Sequence, residues 1–142
     1  MKCGLSRRRF LDRLSALSGG TAAAWLSFEA VRCAPPGARR AICRADALAV
    51  GGFKLFEYPG PAEPCILIRS GPDDFVAYAR TCTHESCAVS YRPGADRLEC
   101  PCHGGAYAVA DGRVLYGPPP RGLERLRLER EDGYIVVTGL AA

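Results

Sequence analysis

The sequence is poor in histidine and lacks long hydrophobic runs, and both shortages limit what the chain can be. Only two of its 142 residues are histidine, and methionine and tryptophan occur once each. No apolar run reaches the roughly 20 residues of a membrane-spanning helix. The nearest approach, residues 14–28, is interrupted by glycine and serine. With 48% apolar and 24% charged residues, the composition is that of a globular protein rather than a disordered or wholly membrane-embedded one.

A basic surface is missing from most of the chain, although the formal net charge is +4. Residues 1–33 hold six basic side chains against two acidic ones, whereas 13 basic and 13 acidic residues balance from residue 34 onward. A nucleic-acid site needs a clustered positive patch. We therefore expect no nucleic-acid partner.

Residues 1–33 are predicted to be an export signal or a membrane anchor helix. A basic head precedes a mildly apolar segment, which is the layout of such signals. The stretch "SRRRFL" (6–11) resembles the twin-arginine motif, which implies export of an already folded protein. That route leads to the periplasm, or to the periplasmic face of the cytoplasmic membrane if the segment is retained. Cleavage and anchoring stay open, and membrane contact is expected only through this segment.

The rest of the chain is predicted to form one all-β domain, residues 46–142, after a linker at 34–45 that is rich in proline, glycine and arginine. Helical periodicity is lacking, and short alternating stretches separated by turn residues predict strands. These strands are 53–58, 65–69, 75–80, 88–92, 113–116, 126–129 and 134–137. Turns are expected at 70–74, 92–96, 110–113 and 130–134. The expected fold is an antiparallel sandwich or barrel.

Both histidines lie among cysteines, in "CTHESC" (82–87) and "CPCHGG" (100–105). Each stretch places one cysteine near one histidine: Cys82 with His84, and Cys100 with His103. A zinc site with two cysteines and two histidines is one interpretation. Common zinc sites, however, pair like residues along the chain, and this one would leave a cysteine over in each stretch. A binuclear cluster accounts for the mixture, because two cysteines can hold one metal and two histidines the other.

The two boxes, C-x-H-x-x-C and C-x-C-H, resemble those of the Rieske iron–sulfur family in order and spacing, over about residue 45 to the C-terminus. The resemblance implies one [2Fe–2S] cluster per chain, held in a small subdomain formed by the two loops. Cys82 and Cys100 would bind one iron, and His84 and His103 the other.

The family resemblance also implies a disulfide between Cys87 and Cys102 that ties the loops together. Closing a loop of that size is worth about 3 kcal/mol, and an oxidising compartment favours such a bond. Two further cysteines, Cys43 and Cys65, lie outside the boxes. A second disulfide between them and two free thiols are both open at this point.

Three positions are expected to tune the cluster, and one segment to cover it. Tyr107 stands where high-potential members place a tyrosine that hydrogen-bonds a ligating sulfur. Gly105 stands where they usually have serine, so we expect a lower potential. Glu85 replaces a leucine common in quinol-oxidising members, and a carboxylate is costly to desolvate in an apolar pocket. "GPPPRGL" (117–123) resembles the family's proline loop, which covers the cluster.

The resemblance implies a one-electron transfer protein that is not an enzyme on its own. Within the family, the chain most resembles small exported Rieske subunits, such as those of arsenite oxidase and of cytochrome bc complexes. The expected partners are the large subunit of a molybdenum enzyme, or a cytochrome b or c, with quinol as the reductant in the second case. The alternative from another class is a zinc-stabilised binding module without redox function.

Overall fold

The computed structural model describes residues 39–60 and 62–141. The predicted signal or anchor at 1–33 and the first part of the linker lie outside these residues. In the described part, ten strands accompany one short 3₁₀ helix, Ala45–Ala47, and no helix there is both long and apolar enough to cross a bilayer. The strands are β1 (Arg40–Arg44), β2 (Phe53–Glu57), β3 (Pro64–Arg69), β4 (Phe75–Ala79), β5 (Ser90–Arg92), β6 (Arg97–Glu99), β7 (Ala106–Ala108), β8 (Val114–Tyr116), β9 (Leu126–Glu131) and β10 (Tyr134–Leu140).

The strands form three antiparallel sheets, which we call the terminal, central and distal sheets. The terminal sheet has the order β1-β10-β9, the central sheet β2-β3-β4 and the distal sheet β5-β6-β7-β8. Consecutive strands joined by short turns are neighbours in the central and distal sheets, as hairpin connections require. The all-β antiparallel fold expected from the sequence is confirmed.

Strands β3 and β4 of the central sheet are buried on both faces and separate two hydrophobic cores. Alternate residues of β3 and β4 point to opposite faces. The first core contains Ile66, Ile68, Val76, Tyr78, Cys82, Val89, Tyr91, Leu98, Cys100, Tyr107, Val109 and Leu123. The second contains Ala45, Tyr58, Cys65, Leu67, Ala77, Leu126, Ile135 and Val137. Burial on both faces explains why residues 65–68 read as a continuous apolar run. The first core also contains the cysteine that begins each loop of interest.

The seven predicted strands and four predicted turns are all present, but three strands were missed. β6 and β7, of three residues each, flank the second cysteine loop and were not recognised in the sequence. β1 lies within residues 34–45, so the linker prediction is wrong for residues 40–44, which pair with β10. A register shift between Ala41 and Cys43 breaks the period of two in β1 and hides the strand from sequence analysis.

Candidate metal centre

The two loops, 82–87 and 100–105, share one backbone frame. Each closes a hairpin, between Thr81 and Ala88 in the first case and between Glu99 and Ala106 in the second. In each, the first residue's N–H donates to the sixth residue's carbonyl, at 2.8 Å and 2.7 Å. The first residue's carbonyl accepts from the fifth residue's N–H, at 2.9 Å and 3.1 Å. Two stretches with different side chains are therefore held in equivalent conformations.

The fifth residue of each loop has a left-handed backbone, with φ of 58° at Ser86 and 67° at Gly104. This conformation turns the chain back so that the hairpin closes. Glycine adopts it without strain, whereas serine does so at a cost. The frame therefore depends on the same backbone turn in both loops, although only the second loop has glycine there.

The first cysteine of each loop, Cys82 or Cys100, directs its sulfur into the protein. Each of these residues is only 3% exposed. Both residues belong to the first core, and each thiol shifts the pKa of the other. Each sulfur also accepts backbone N–H groups from the residues two and three positions further along its loop. Converging N–H dipoles stabilise negative charge, so the main chain is arranged to hold two thiolates side by side.

The two thiols differ in acidity because only Cys82 contacts a tyrosine, and because the interaction between the two thiols lowers the pKa of Cys82 and raises that of Cys100. Burial raises the pKa of Cys100. Burial also acts to raise the pKa of Cys82, but hydrogen bonds from Tyr107 and from the backbone of its own loop outweigh it, and that pKa is lowered. Burial, followed by the contact with Cys82, raises the pKa of Tyr107. The phenol therefore keeps its proton while the neighbouring sulfur is favoured as the anion.

The direction of the Tyr107 hydrogen bond follows from its other partners. The phenol oxygen lies 3.2 Å from Sγ of Cys82 and accepts the Thr83 N–H at 3.1 Å. The Thr83 hydroxyl donates to the Arg121 carbonyl at 2.6 Å, so its proton is not directed at the phenol. The tyrosine proton therefore has two acceptors within reach, the Cys82 sulfur and the Thr83 hydroxyl oxygen, which lies 3.3 Å away. The contact implied by the family resemblance is present, whereas Thr83 and the Arg121 carbonyl, which orient it, were not anticipated from the sequence.

The two histidines lie together at the surface, in contrast to the buried thiols. The ring centroids of His84 and His103 are 4.9 Å apart, and the rings are nearly perpendicular, at 83°. Glu85 joins them: one ligand atom from each of the three side chains lies within 4.8 Å of the others. Its carboxylate is 3.8 Å from Nε2 of His103 and 63% exposed. The site therefore presents sulfur towards the core and nitrogen towards solvent.

A disulfide joins the loops. Cys87 and Cys102 are bonded, with an S–S distance of 2.05 Å and Cα atoms 6.5 Å apart. This confirms the pairing that the family resemblance implied. Cys43 and Cys65 are both free. The Cys65 thiol instead donates to the carbonyls of Tyr58 and Glu63, each at 3.5 Å, and burial raises its pKa to about 11.

The proline loop at 117–123 packs directly on the second cysteine loop. A Cβ atom at Gly105 would lie 2.6 Å from Cγ and 2.8 Å from Cδ of Pro119, which is itself buried. A Cβ atom at Gly117 would lie 2.6 Å from Cα of Gly105. The difference between Gly105 and the serine of other family members is therefore more than a missing hydroxyl group. A proline ring occupies the space into which any side chain there would extend.

The donor set fits a cluster with two unlike metal positions. Two thiols buried in the same core, each beside N–H groups of its own loop, suit a metal with anionic sulfur ligands, and two exposed imidazoles suit a second metal with neutral ligands. The remaining cysteines of the loops are bonded to each other and do not compete as ligands.

Comparison with known proteins agrees with this chemistry. Residues 39–127 match the Rieske [2Fe–2S] domain. The cytochrome b6-f complex iron–sulfur subunit of Chlorobaculum tepidum is 30% identical over 139 residues, covering 93% of this chain and 75% of that protein. A putative respiratory nitrate reductase Rieske subunit of Haloferax mediterranei is 32% identical over 108 residues, covering 62% and 49% respectively. These relatives are electron-transfer subunits of larger complexes rather than enzymes on their own, as predicted for this chain.

For another relative known from its sequence, the match covers less than half of that protein. The chain spans 43% of the Parasynechococcus marenigrum cytochrome b6-f iron–sulfur subunit, with 37% identity over 78 residues. Among solved structures, the plasma membrane Rieske protein PetC3 of Synechocystis has a TM-score of 0.61 and 27% identity, covering 69% of this chain and 97% of that one. The match to a single domain over most of the described residues, together with the paired loops, leads to one conclusion: the chain belongs to the Rieske [2Fe–2S] protein family.

Proposed function

We propose that Cys82 and Cys100 bind one iron of the Rieske cluster and that His84 and His103 bind the other. The observation that carries this assignment is the separation of donor types: two thiols buried in one core and two imidazoles at the surface, with ring centroids 4.9 Å apart. Both pairs come from one pair of equivalent backbone frames. Each loop would then contribute one ligand to each metal.

Such a cluster supplies reversible one-electron chemistry, at about −150 to +300 mV. The residues around it set where in that range the protein works. Hydrogen bonds to the sulfurs from Tyr107 and the loop N–H groups favour the more negative, reduced state and raise the potential. The carboxylate of Glu85 beside His103 acts in the opposite direction. Gly105 offers no hydroxyl, so we expect a potential below that of serine-containing members.

We also propose that the protein is exported by the twin-arginine route and works at the periplasmic side of the cytoplasmic membrane. The "SRRRFL" stretch at 6–11 supports this location. So does the Cys87–Cys102 disulfide, since such bonds persist in oxidising compartments. Export of a folded protein would suit a chain whose cofactor must be inserted before translocation.

The chain is proposed to act as a subunit or partner of a larger redox complex. It would pass single electrons to a protein partner through the surface formed by His84, Glu85 and His103. Glu85 favours a polar docking surface over an apolar quinol pocket, because an exposed carboxylate would lose its hydration on entering such a pocket. The large subunit of a molybdenum enzyme, or a cytochrome, would offer such a surface. The named relatives include subunits of both cytochrome and nitrate reductase complexes.

The ligand assignment is tested by metal and sulfide analysis of the purified full chain. We expect two iron atoms and two acid-labile sulfides per chain, with loss of both in Cys82→Ser and in His103→Ala. Cys43→Ser is the matched control, since this thiol is free and outside the loops, and it should retain the cluster. One zinc ion, without sulfide, from cells supplied with iron would overturn the assignment and support the zinc-module alternative.

The docking proposal is tested separately with Glu85→Leu. If Glu85 keeps the protein away from quinol pockets, the variant should be reduced faster than the wild type by a cytochrome bc complex supplied with a quinol analogue. The control is Glu124→Leu, an exposed carboxylate outside the two loops. Equal rates for Glu85→Leu and the wild type would contradict the proposed role of this side chain without affecting the ligand assignment.

A further inference from the structure

A groove lies between two strand edges that have no strand partner within residues 39–60 and 62–141. In this part of the chain β1 pairs only with β10, and β2 only with β3. The groove has a volume of about 530 Å³ and is lined by residues 40–42 of β1 and 54–57 of β2, with Pro64 and Arg80. It includes no residue of the two cysteine loops, so an occupant could bind there while the histidines remain accessible.

The β2 edge has main-chain groups available for pairing. The Tyr58 N–H donates to the Glu63 carbonyl next to β3 at 3.0 Å. Because these groups alternate in direction along a strand, those of Phe53, Leu55 and Glu57 point away from β3. The Arg40 guanidinium donates to the Glu57 carbonyl from the groove side, as this alternation requires. Among the described residues, the main-chain groups of Phe53 and Leu55 have no partner on that side.

Several side chains in and next to β2 are apolar and exposed, whereas apolar strands are usually covered by other parts of the protein. Phe53 is 44% exposed, Leu55 is 49% exposed, and Val50 just before the strand is 56% exposed. Native proteins usually protect such an apolar edge with charges, proline, a bulge or a covering element. β2 has two charged residues, Lys54 and Glu57, but no proline, and its pairing with β3 runs without a bulge.

The charge of the groove indicates what covers it. Arg40, Lys54 and Arg80 line it, against one carboxylate, Glu57. None of these three cations forms an ion pair with a described carboxylate, whereas several other arginines, such as Arg92 and Arg130, do. The groove therefore presents positive charge beside free strand edges.

We propose that this groove binds an extended acidic segment of a partner protein, which adds to β2 as a further strand. Main-chain hydrogen bonds along β2 would supply affinity, and pairing of carboxylates with Arg40 and Lys54 would supply specificity. A second copy of this chain would bring the same three cations to the contact. Residues 1–33 of the chain carry a basic excess, so that segment does not match the charge either.

The proposal is tested by fluorescence anisotropy with the cluster-loaded full chain and a labelled peptide of alternating glutamate and valine. A peptide of alternating lysine and valine is the charge control. We expect saturable binding of the acidic peptide only. Lys54→Glu should weaken it about tenfold or more, because an attraction becomes a repulsion. Arg127→Glu should leave it unchanged, since Arg127 is exposed but lies outside the groove.

A second pair of variants tests strand addition itself. Leu55→Pro removes an N–H that points away from β3, so the sheet should tolerate it while peptide binding weakens about tenfold. Leu55→Thr removes the apolar side chain, keeps the N–H, and should retain most of the binding. Circular dichroism and cluster absorbance check the fold of each variant. Equal binding of both peptides, no saturation by the acidic peptide, or dimerisation of the chain that Leu55→Pro abolishes would each overturn the proposal.

Discussion

The two cysteine loops have the same backbone and different side chains, and their comparison explains how the site is built. Both begin with a buried cysteine whose sulfur accepts N–H groups from its own loop. At the third position the first loop has His84 and the second Cys102; at the fourth they have Glu85 and His103. The backbone thus fixes the sulfur position, whereas the order of the other residues places the imidazoles at the surface.

The sixth position shows the largest difference between the loops. The first loop has Cys87 there, which bonds across to Cys102. The second has Gly105, whose missing side chain leaves room for Pro119. One loop is therefore secured by a covalent bond to its neighbour, and the other by the proline loop packed against it. Each connection can be removed separately.

The largest effect is expected from removing the disulfide. The Cys87→Ala/Cys102→Ala variant should lose about 3 kcal/mol of unfolding free energy, because a 15-residue separation is no longer closed in the unfolded chain. Guanidinium unfolding of the variant and the wild type measures the difference. Cys43→Ala serves as the control for loss of a thiol outside the loops. A variant as stable as the wild type would show that the frames do not depend on their covalent link.

A third buried thiol, Cys65, differs from the two loop cysteines because its sulfur faces carbonyls instead of N–H groups. Burial raises its pKa from 9.0 to about 11. Below pH 9 the Cys65 thiol keeps its proton in both the folded and the unfolded state, so its full contribution to the unfolding free energy is present. Between pH 9 and 11 only the unfolded state loses it, and stability falls as pH rises. The loss attributable to Cys65 is about 2–3 kcal/mol.

This pH dependence is measured by chemical unfolding of the wild type and Cys65→Ala from pH 8 to 11. Other buried phenols and thiols titrate in both proteins, so the difference between the two curves isolates Cys65. The gap between them should narrow as pH rises, because the wild type alone loses the contribution of this thiol. Parallel curves would contradict the assignment of a raised pKa to Cys65.

The packing at the sixth position of the second loop is tested by Gly105→Ser. The serine Cβ would collide with the Pro119 ring, and overpacking of this kind costs about 1–3 kcal/mol. Pro119→Ala in the same chain should recover most of the loss, since it removes the ring atoms involved. Unfolding free energies of the two single variants and the double variant measure this coupling. Additive effects would show that the two residues do not share the space.

A smaller effect is expected from the phenol that contacts only the first loop. Tyr107→Phe removes one hydrogen bond to the Cys82 sulfur. The bond is stronger to the more negative, reduced cluster; if the difference between the two redox states is about 1 kcal/mol, its loss lowers the potential of a one-electron couple by about 40 mV. Redox titration followed by absorbance measures the change. Tyr134→Phe, on an exposed tyrosine of β10, is the control. An equal shift of the potential in both variants would show that Tyr107 has no specific effect on the cluster.

The sequence predicted what depends on local pattern and missed what depends on tertiary contact. Strands with several alternating residues, such as β2 and β4, were predicted, and so was the pair of loops, because their residue types are rare elsewhere in the chain. The kink in β1 between Ala41 and Cys43 concealed that strand. The role of Thr83 in orienting Tyr107, and the Pro119 ring over Gly105, depend on segments far apart in sequence.

Pulsed EPR of the reduced full chain labelled with ¹⁵N-histidine tests whether the two similar loops supply two unlike pairs of ligands. The chain has only two histidines, so every labelled nitrogen belongs to His84 or His103. We expect couplings from two histidine nitrogens to the same paramagnetic centre. A signal with coupling to one histidine or to none in the wild type would contradict it.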